Sequence, residues 1–395
     1  MKLLVNINSL IPPLSGVGRY TLELLKRLLE APEIDDIWGA GAQGILDRVQ
    51  LGNLLVRLDS TALDDPSLYP SILGNPLWRR WARHIPGVRT AKLALENIKL
   101  GKILPLRQYI YWEPNYLLMP YPTKAVVTVH DLSHIDCPEY HPQSRVAELK
   151  RHLSGSLHRA RHVLVVSEFT KKRVVEHFDI REAKISVIPP GVGPEFRPYD
   201  PAVVAEVRAR YGLGRDYILS VGTLEPRKNI PNLLRAYTAL PTELRNRYEL
   251  LIVGANGWKS TEAEAMLSAL EGQGVRRLGF INQKDLPVLY AGAVLAAYVP
   301  FYEGFGMPVA EALATGLAVM TSKRTPMADT AGDAAYLVDP DNVDSIRAGL
   351  AELLTRPELR AGLAARARAR TSRLQWHTAA ARLIECLENI DAAQY

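Results

Sequence analysis

"VLAAYVPFYEGFGMPVAEALATGLAVMTS", residues 294–322, holds in one run the pattern on which the fold turns. An apolar segment ends at Tyr302 and Glu303, the trio Gly304, Phe305 and Gly306 turns the chain, a helix opens around Met307 and Pro308, and the apolar run "LAVMTS" follows. Two glutamates, Glu303 and Glu311, stand eight apart around this corner. On a continuous helix that spacing would place both on one face, but Gly304, Gly306 and Pro308 argue against a continuous helix. The geometry must come from a bend, with Glu303 at the loop start and Glu311 in the first turns of the new helix. Strand, helix and strand in this order call for a parallel sheet, whose ligands meet the carboxyl ends of the strands.

The rhythm extends outward from this unit. In the second half "YILSVG", "YELLIVG", "VRRLGF", "VLAAYVP", "LAVMTS" and "AAYLVD" read as strands. They alternate with helical segments near 230–239, 261–271, 285–292, 308–315 and 342–354. In the first half "KLLVNI", "AVVTVH", "HVLVVS" and "KISVI" read as buried strands between helical stretches. Between the halves "PPGVGPEFRPYDP" breaks both periodicities and marks a boundary near residues 189–201. The fold class is therefore α/β, with two doubly wound parallel-sheet domains of Rossmann type.

Composition sets the outer limits. The chain has 395 residues, 47% apolar and 23% charged, the make-up of a soluble globular protein with room for two domains of roughly 150–200 residues. Cys137 and Cys386 give no disulfide framework and no metal-ligand spacing, which points to a reducing compartment. No run reaches about 18 apolar residues, so a cytoplasmic protein without membrane spans is expected. The net charge of +6 is unevenly spread: Arg79, Arg80, Arg83, Arg89, Lys92, Lys99, Lys102 and Arg107 face the single acid Glu96, beside Trp78 and Trp81. This stretch suits either an anionic membrane surface or a solvated helical face over a buried tryptophan pair. A nucleic-acid partner is not expected, since no recognisable module accompanies the charge.

The corners carry the chemistry. Gly16 and Gly18 in "NSLIPPLSGVGRYTLELLKRLL" lie between a strand and a helix, where glycine lets backbone N–H groups approach a phosphate or sugar, or merely makes a turn. The dinucleotide fingerprint G-x-G-x-x-G fails because position 21 is threonine, which argues against a dehydrogenase. His130 and Asp131 follow the strand "AVVTV", and a neutral imidazole there can bond sugar hydroxyls. His134 and His141 lack a compact metal-ligand spacing. Ser167 reads as a helix N-cap. In "YILSVGTLEPRKNIPNLLRAY", Gly222 and Thr223 form a corner ahead of Glu225, Arg227 and Lys228. Two adjacent cations suit a diphosphate, Arg as a bidentate donor and Lys as a mobile charge. Glu303 and Glu311 are acceptors for paired hydroxyls at two depths, as the two sugars of a nucleotide sugar would require.

Together "SGVGRY", "VHDLSH", "VVSEFTKKRV", "VIPPGV", "VGTLEPRKNI" and "EGFGMPVAE" resemble the retaining family-4 glycosyltransferases of GT-B fold over nearly the whole chain. The resemblance implies two Rossmann-like domains facing across a cleft: an acceptor domain over 1–193, a nucleotide-sugar domain over 194–375, and a final helix, 376–395, returning to the first domain. It implies that Arg227 and Lys228 hold the donor diphosphate and stabilise the leaving group, with Gly222 and Thr223 beside them. By the same resemblance Glu303 contacts the transferred sugar and Glu311 the ribose, while Gly304, Phe305, Gly306, Met307 and Pro308 line the phosphates and sugar. Phe280, Ile281 and Leu286 lie by the base, His130 by the anomeric region, and Gly16 and Gly18 face the diphosphate and acceptor. Retention by front-face attack, with no protein nucleophile and no metal, is the implied mechanism. Asp339-Pro340-Asp341 matches a metal-binding D-x-D but reads as a turn and cap.

The similarity to bacterial mannosyltransferases favours GDP-mannose as donor and a glycan or lipid-diphosphate-linked acceptor in surface polysaccharide synthesis. It leaves open a UDP-sugar-dependent transferase, a nucleotide-sugar epimerase of the same fold, or a binding protein without catalysis.

Overall fold

The computed structural model describes residues 1–12, 14–59, 100–121, 123–279, 281–324 and 326–392. The chain divides into two compact units, the first made of Met1–His130, Glu148–Pro189 and Trp376–Tyr395, the second of Asp131–Ala147 and Pro190–Gln375. Each unit is a doubly wound α/β sheet. The first contains β1 (Lys2–Asn6), β2 (Asp36–Gly41), β3 (Gly44–Leu46), β4 (Tyr109–Glu113), β5 (Lys124–Val129), β6 (His162–Val165) and β7 (Ile185–Val187), in the order β3-β2-β1-β4-β5-β6-β7. All neighbours run parallel except β2 and β3. The second contains β8 (Asp216–Val221), β9 (Tyr248–Val253), β10 (Val275–Gly279), β11 (Leu295–Tyr298), β12 (Val319–Ser322) and β13 (Ala335–Val338), in the order β10-β9-β8-β11-β12-β13, all parallel.

The apolar runs of the second half follow from burial on both sheet faces. Leu295, Ala297 and Val299 enter one core with Ile218, Leu250, Ile252 and Met320. Ala296 and Tyr298 enter the opposite core with Tyr217, Leu219, Leu251 and Val319. A parallel strand covered on both faces has no polar alternation to show, so it reads as a continuous apolar segment.

Every strand expected from the sequence is present, and the helices Ile230–Thr238, Thr261–Ala269, Asp285–Ala291, Met307–Ala314 and Val343–Thr355 lie within two residues of their expected positions. Strands β2, β3 and β4 carried no reading. In β2, "DIWGAG", the glycines look like breakers, yet a side chain at Gly39 would sit 3.1 Å from Leu51 and 3.2 Å from Ile7. Close packing, not flexibility, selects that glycine.

Two expectations need adjustment. Residues 131–147 group with the second unit, although they fall inside the 1–193 span expected of the first domain. They follow β5 in the chain and are tied within the second unit by side chains of residues 258, 259 and 302 (below). Gly16 and Gly18 belong to the first turn of the helix Gly16–Glu30 and do not form a loop ahead of it: Ser15 is the N-cap and accepts the Gly18 amide at 3.2 Å. The final helix, Trp376–Ala392, packs in the first unit, with Trp376 edge-on to Tyr20 and Lys124 Nζ donating to the carbonyls of Ile390 and Asp391, both at 3.0 Å. A cation at the carbonyl end of a helix satisfies its last acceptors and its dipole.

Both cysteines are free and buried. Among the described residues no helix is long and apolar enough to cross a membrane. Most of the basic stretch from Trp78 onward lies outside the described residues.

Candidate active site

An open α/β sheet offers a crevice where the strand order reverses, because the connections on either side leave toward opposite faces. In the second unit that point lies between β8 and β11. The corner after β8 and the corner after β11 therefore meet.

After β8 the chain makes a short turn, Pro226–Lys228, closed by Asn229 in the left-handed region at φ 61°. Asn229 is 1% exposed, and its Nδ2 donates to the carbonyls of Val299 at 2.9 Å and Pro340 at 2.8 Å. These bonds fix the turn beneath Arg227 and Lys228. The Phe301 amide also donates to the Arg227 carbonyl at 2.9 Å, which ties the turn to the chain leaving β11.

The side chains then form one charged cluster. Arg227 Nε donates to Glu225 Oε2 at 2.9 Å, and its Nη1 lies 3.0 Å from Glu303 Oε2. Lys228 Nζ donates to Tyr298 Oη at 2.8 Å and pairs with Glu303 Oε1, which Tyr298 Oη also approaches. Glu225 is held on its other oxygen by the Thr223 hydroxyl at 2.8 Å. Burial pushes the Glu303 carboxyl up, but Arg227, Lys228 and its hydrogen bonds outweigh that and bring it down to about 2. Burial and the neighbouring Arg227 act against the Lys228 ammonium and hold it below the usual lysine range. For Arg227, burial is overcome by Glu303, Asp131 and Glu225, and the guanidinium stays charged.

Glu303, expected against sugar hydroxyls, thus has its carboxylate paired with Arg227, Lys228 and Tyr298 in this structure. A carboxylate has about four lone-pair positions, so these bonds leave capacity for a hydroxyl donor. Glu311 is 8% exposed and accepts from Tyr290 Oη at 3.2 Å. Its helix, Met307–Ala314, opens after Gly306 at φ 92°, a conformation that only glycine adopts without strain. Thr330 Oγ1 pins the corner by donating to the Phe305 carbonyl at 2.6 Å. Pro308 has no N–H, so any amide donors of this corner come from the residues before it, Gly304 to Met307. Ile281 is 7% exposed in the core, Leu286 is half-buried beside it, and Phe280 lies outside the described residues.

Beyond Asp131, which the sequence already picked out at the corner after β5, residues 132–147 add groups that the sequence had not linked to this site. Asp131 accepts from the Ser133 amide at 3.0 Å and hydroxyl at 2.7 Å, and His141 Nε2 bonds the same hydroxyl at 2.8 Å. Burial raises the Asp131 carboxyl, but Arg227 and the Ser133 bonds lower it to about 2. Tyr302 Oη donates to Asp136 at 2.8 Å, Trp258 Nε1 to the Tyr140 carbonyl at 2.7 Å, and Lys259 Nζ to the Glu139 carbonyl at 2.6 Å. His134, brought down to about 4 chiefly by burial, and His141, also lowered by burial, are neutral. Among the described residues no group of three His, Cys, Asp or Glu is placed to hold a metal ion. Asp339 pairs with Lys323 at 2.9 Å and Asp341 with Arg324, while Asn342 caps the helix Val343–Thr355 by accepting the Ser345 amide at 3.1 Å. The D-x-D is a turn and cap.

In the first unit His130 directly follows β5, its Nε2 2.7 Å from the Pro114 carbonyl and its ring edge-on to Tyr20 at 5.1 Å. Ser167 caps its helix by accepting the Thr170 amide at 3.1 Å. The two N-terminal glycines differ. A side chain at Gly18 would come 2.5 Å from the Ser9 carbonyl, whereas Gly16 has nothing within 4 Å. Gly18→Ala should therefore lower the melting temperature, and Gly16→Ala should not. Loss of transfer by Gly16→Ala with an unchanged melt, read by calorimetry beside an activity assay, would mark the side where a ligand approaches; normal transfer would remove Gly16 from the site.

Two family models match the chain. One described as "Glycosyltransferase Family 4" matches residues 14–196, and one described as "Glycosyl transferases group 1" matches residues 206–370. The O-antigen chain mannosyltransferase B of Escherichia coli is 35% identical over 379 residues, covering 95% of this chain and 96% of that one. The chain belongs to glycosyltransferase family 4. A GDP-mannose-dependent alpha-(1-6)-phosphatidylinositol monomannoside mannosyltransferase of Mycobacterium tuberculosis is 32% identical, over 59% of this chain and 63% of its own. Among solved structures, Anabaena Alr3699/HepE in complex with UDP and glucose superposes with a TM-score of 0.70 at 18% identity, over 98% of this chain and 100% of that one. At that identity the likeness speaks for the fold, which is GT-B, and this family-4 chain is a glycosyltransferase.

Proposed function

We propose that this glycosyltransferase is a retaining, metal-independent mannosyltransferase that takes GDP-mannose and extends a glycan or lipid-diphosphate-linked acceptor in surface polysaccharide synthesis. The observation that carries the reading is the 35% identity with an O-antigen mannosyltransferase along almost the full length of both chains. The relative from Mycobacterium tuberculosis, named for GDP-mannose, supports the donor. On this reading transfer takes place on the cytoplasmic side, with the acceptor at the membrane surface.

The chemistry asks for positive charge where the nucleotide leaves. As the bond between the anomeric carbon and the phosphate oxygen breaks, charge develops on the diphosphate, and Arg227 and Lys228 are cations already fixed in a buried setting to stabilise it. The acceptor oxygen attacks from the same face, and its proton passes to the departing phosphate oxygen. Glu303, engaged by two cations and a phenol, is a poor nucleophile and serves to bind. A hydrolase using two carboxylates about 5–9 Å apart would need one of them protonated near neutral pH as the acid, and Glu303 is held far below that range.

The test is a thermal-shift panel of GDP-mannose, GDP, UDP-glucose, UDP-N-acetylglucosamine and NAD, followed by transfer assays with and without EDTA. A ligand at 100 times its Kd stabilises by about 2.7 kcal/mol. The guanine pair should stabilise selectively, transfer should survive EDTA, and the product should keep the donor's anomeric configuration. Stabilisation by the uridine ligands would replace GDP-mannose by a UDP-sugar. Turnover of the nucleotide sugar without an acceptor would favour an epimerase.

A further inference from the structure

The first sheet has its own reversal of strand order, between β1 and β4, and a polar cluster that the donor chemistry does not use is buried there. β1 ends at Asn6 and β4 at Glu113, which are 6% and 3% exposed. Glu113 Oε2 accepts from Asn6 Nδ2 at 2.7 Å and from Tyr111 Oη at 2.6 Å, and Oε1 accepts from the Asn115 amide at 3.2 Å. Each side of this cluster leads to a loop. Asn6 Oδ1 accepts the Asn8 amide at 2.8 Å, Asn8 Oδ1 accepts the Ala42 amide at 2.7 Å, and the Ser9 hydroxyl donates to Thr21 at 2.9 Å on the helix that opens at Gly16. On the other side, Pro114 stands between Glu113 and Asn115, and its carbonyl meets His130 Nε2 at 2.7 Å. A carbonyl only accepts, so Nε2 carries the hydrogen and the tautomer of His130 is set by this contact.

We infer that Glu113 is a positioning residue for transfer: it clamps the turn after β4 and the loop after β1 together, and through the Pro114 carbonyl it sets the orientation and tautomer of His130. This rests on the proposed reading of His130 as a group of the transfer site. Glu303 and Asp131 have cations to hold them. Glu113 has three neutral donors. The groups facing it are Tyr111 from its own strand, Asn6 from β1 and Asn115 from the following turn, with Tyr121 edge-on to the Tyr111 ring at 4.8 Å. Burial raises the carboxyl from 4.5 to about 7 against the bonds from Tyr111, Asn6 and Asn115. The proton held on the folded chain favours folding below 4.5, and that contribution is lost as pH rises through about 7.

The experiment follows the imidazole nitrogens of His130 by NMR, assigned through their loss in His130→Gln, from pH 5.5 to 8.5. In the wild-type chain the His130 signals should report the Nε2–H tautomer and show an inflection near 7 that belongs to Glu113. In Glu113→Gln one of the three donors must face the new amide group, so the inflection should vanish and the tautomer signature should shift. In the same variant kcat should fall about 10- to 100-fold, as small misplacements of a site group do, with the donor KM within about twofold of wild type. Unchanged His130 signals in Glu113→Gln would overturn the inference. If that variant does not fold, the wild-type titration decides: no inflection beyond the imidazole's own overturns it as well. A wild-type chain that transfers from no nucleotide sugar, while His130 still responds to Glu113→Gln, would refute the mannosyltransferase reading and leave the clamp standing.

Discussion

Arg227→Ala is expected to lower both the stability of the second unit and the rate of transfer. The guanidinium is the partner of Glu225 at 2.9 Å and of Glu303 at 3.0 Å, and its charge also holds Asp131 ionised. With 13% of its side chain exposed, its loss would leave Lys228 as the paired cation of Glu303 and the Thr223 hydroxyl as the donor to Glu225. Deleting one partner of a buried pair typically costs about 3–5 kcal/mol, because the remaining charge is neither solvated nor matched. For a unit of this size that is a fall in Tm of about 6–20 °C. Loss of a preorganised cation at the leaving group should lower kcat by about 100- to 1,000-fold. Arg227→Lys should restore most of the stability but little of the rate, since an ammonium cannot reproduce the forked contacts to two carboxylates. Calorimetry beside steady-state kinetics reads both. An alanine variant that melts within about 2 °C of wild type would show that the carboxylates find protons or water without Arg227, and would refute its place as the hub.

Glu303→Gln should separate binding from catalysis. Glu303 is the anion now seated between Arg227 and Lys228, and a donor diphosphate asks for the same two cations. Removing its charge should leave GDP affinity equal to or higher than that of wild type. The rate should nonetheless fall about 100- to 1,000-fold, because Lys228 and the transferred sugar lose the acceptor that orients them. Calorimetric titration of GDP and single-turnover rates give the two numbers. Affinity and rate falling in proportion would mean that Glu303 supports the clamp and does not compete with the donor. The pH dependence carries a matching sign. With its folded value lowered from 4.5 to about 2, Glu303 contributes stability that is present above 4.5 and lost as pH falls toward 2. The acid limb of unfolding should flatten in Glu303→Gln, which lacks this contribution and should therefore melt below wild type at neutral pH and approach it as pH falls toward 2.

Residues near in sequence told their own story. The corner at 303–308 was legible because its logic is local: Gly306 holds a positive φ, Pro308 suits a first turn, and the flanking apolar runs are covered on both faces. The pairing of "EPRKN" with the opening stretch was legible only as a family resemblance. Lys228 and Glu303 are 75 residues apart, and nothing in either segment names the other as partner.

What the sequence determined by itself was the alternation of strands and helices, the bend between Glu303 and Glu311, and the cations awaiting an anion. Each of these depends on a few adjacent residues, through backbone preference, burial period or charge. The tertiary structure alone decided that β8 lies beside β11, so that Tyr298 and Glu303 close on Arg227 and Lys228. It alone placed residues 131–147 with the second unit and buried Glu113 among neutral donors. Strand order is settled by crossovers and two-sided burial summed over a whole sheet, and a carboxylate takes its partner and its proton affinity from whatever that sheet brings within about 3 Å.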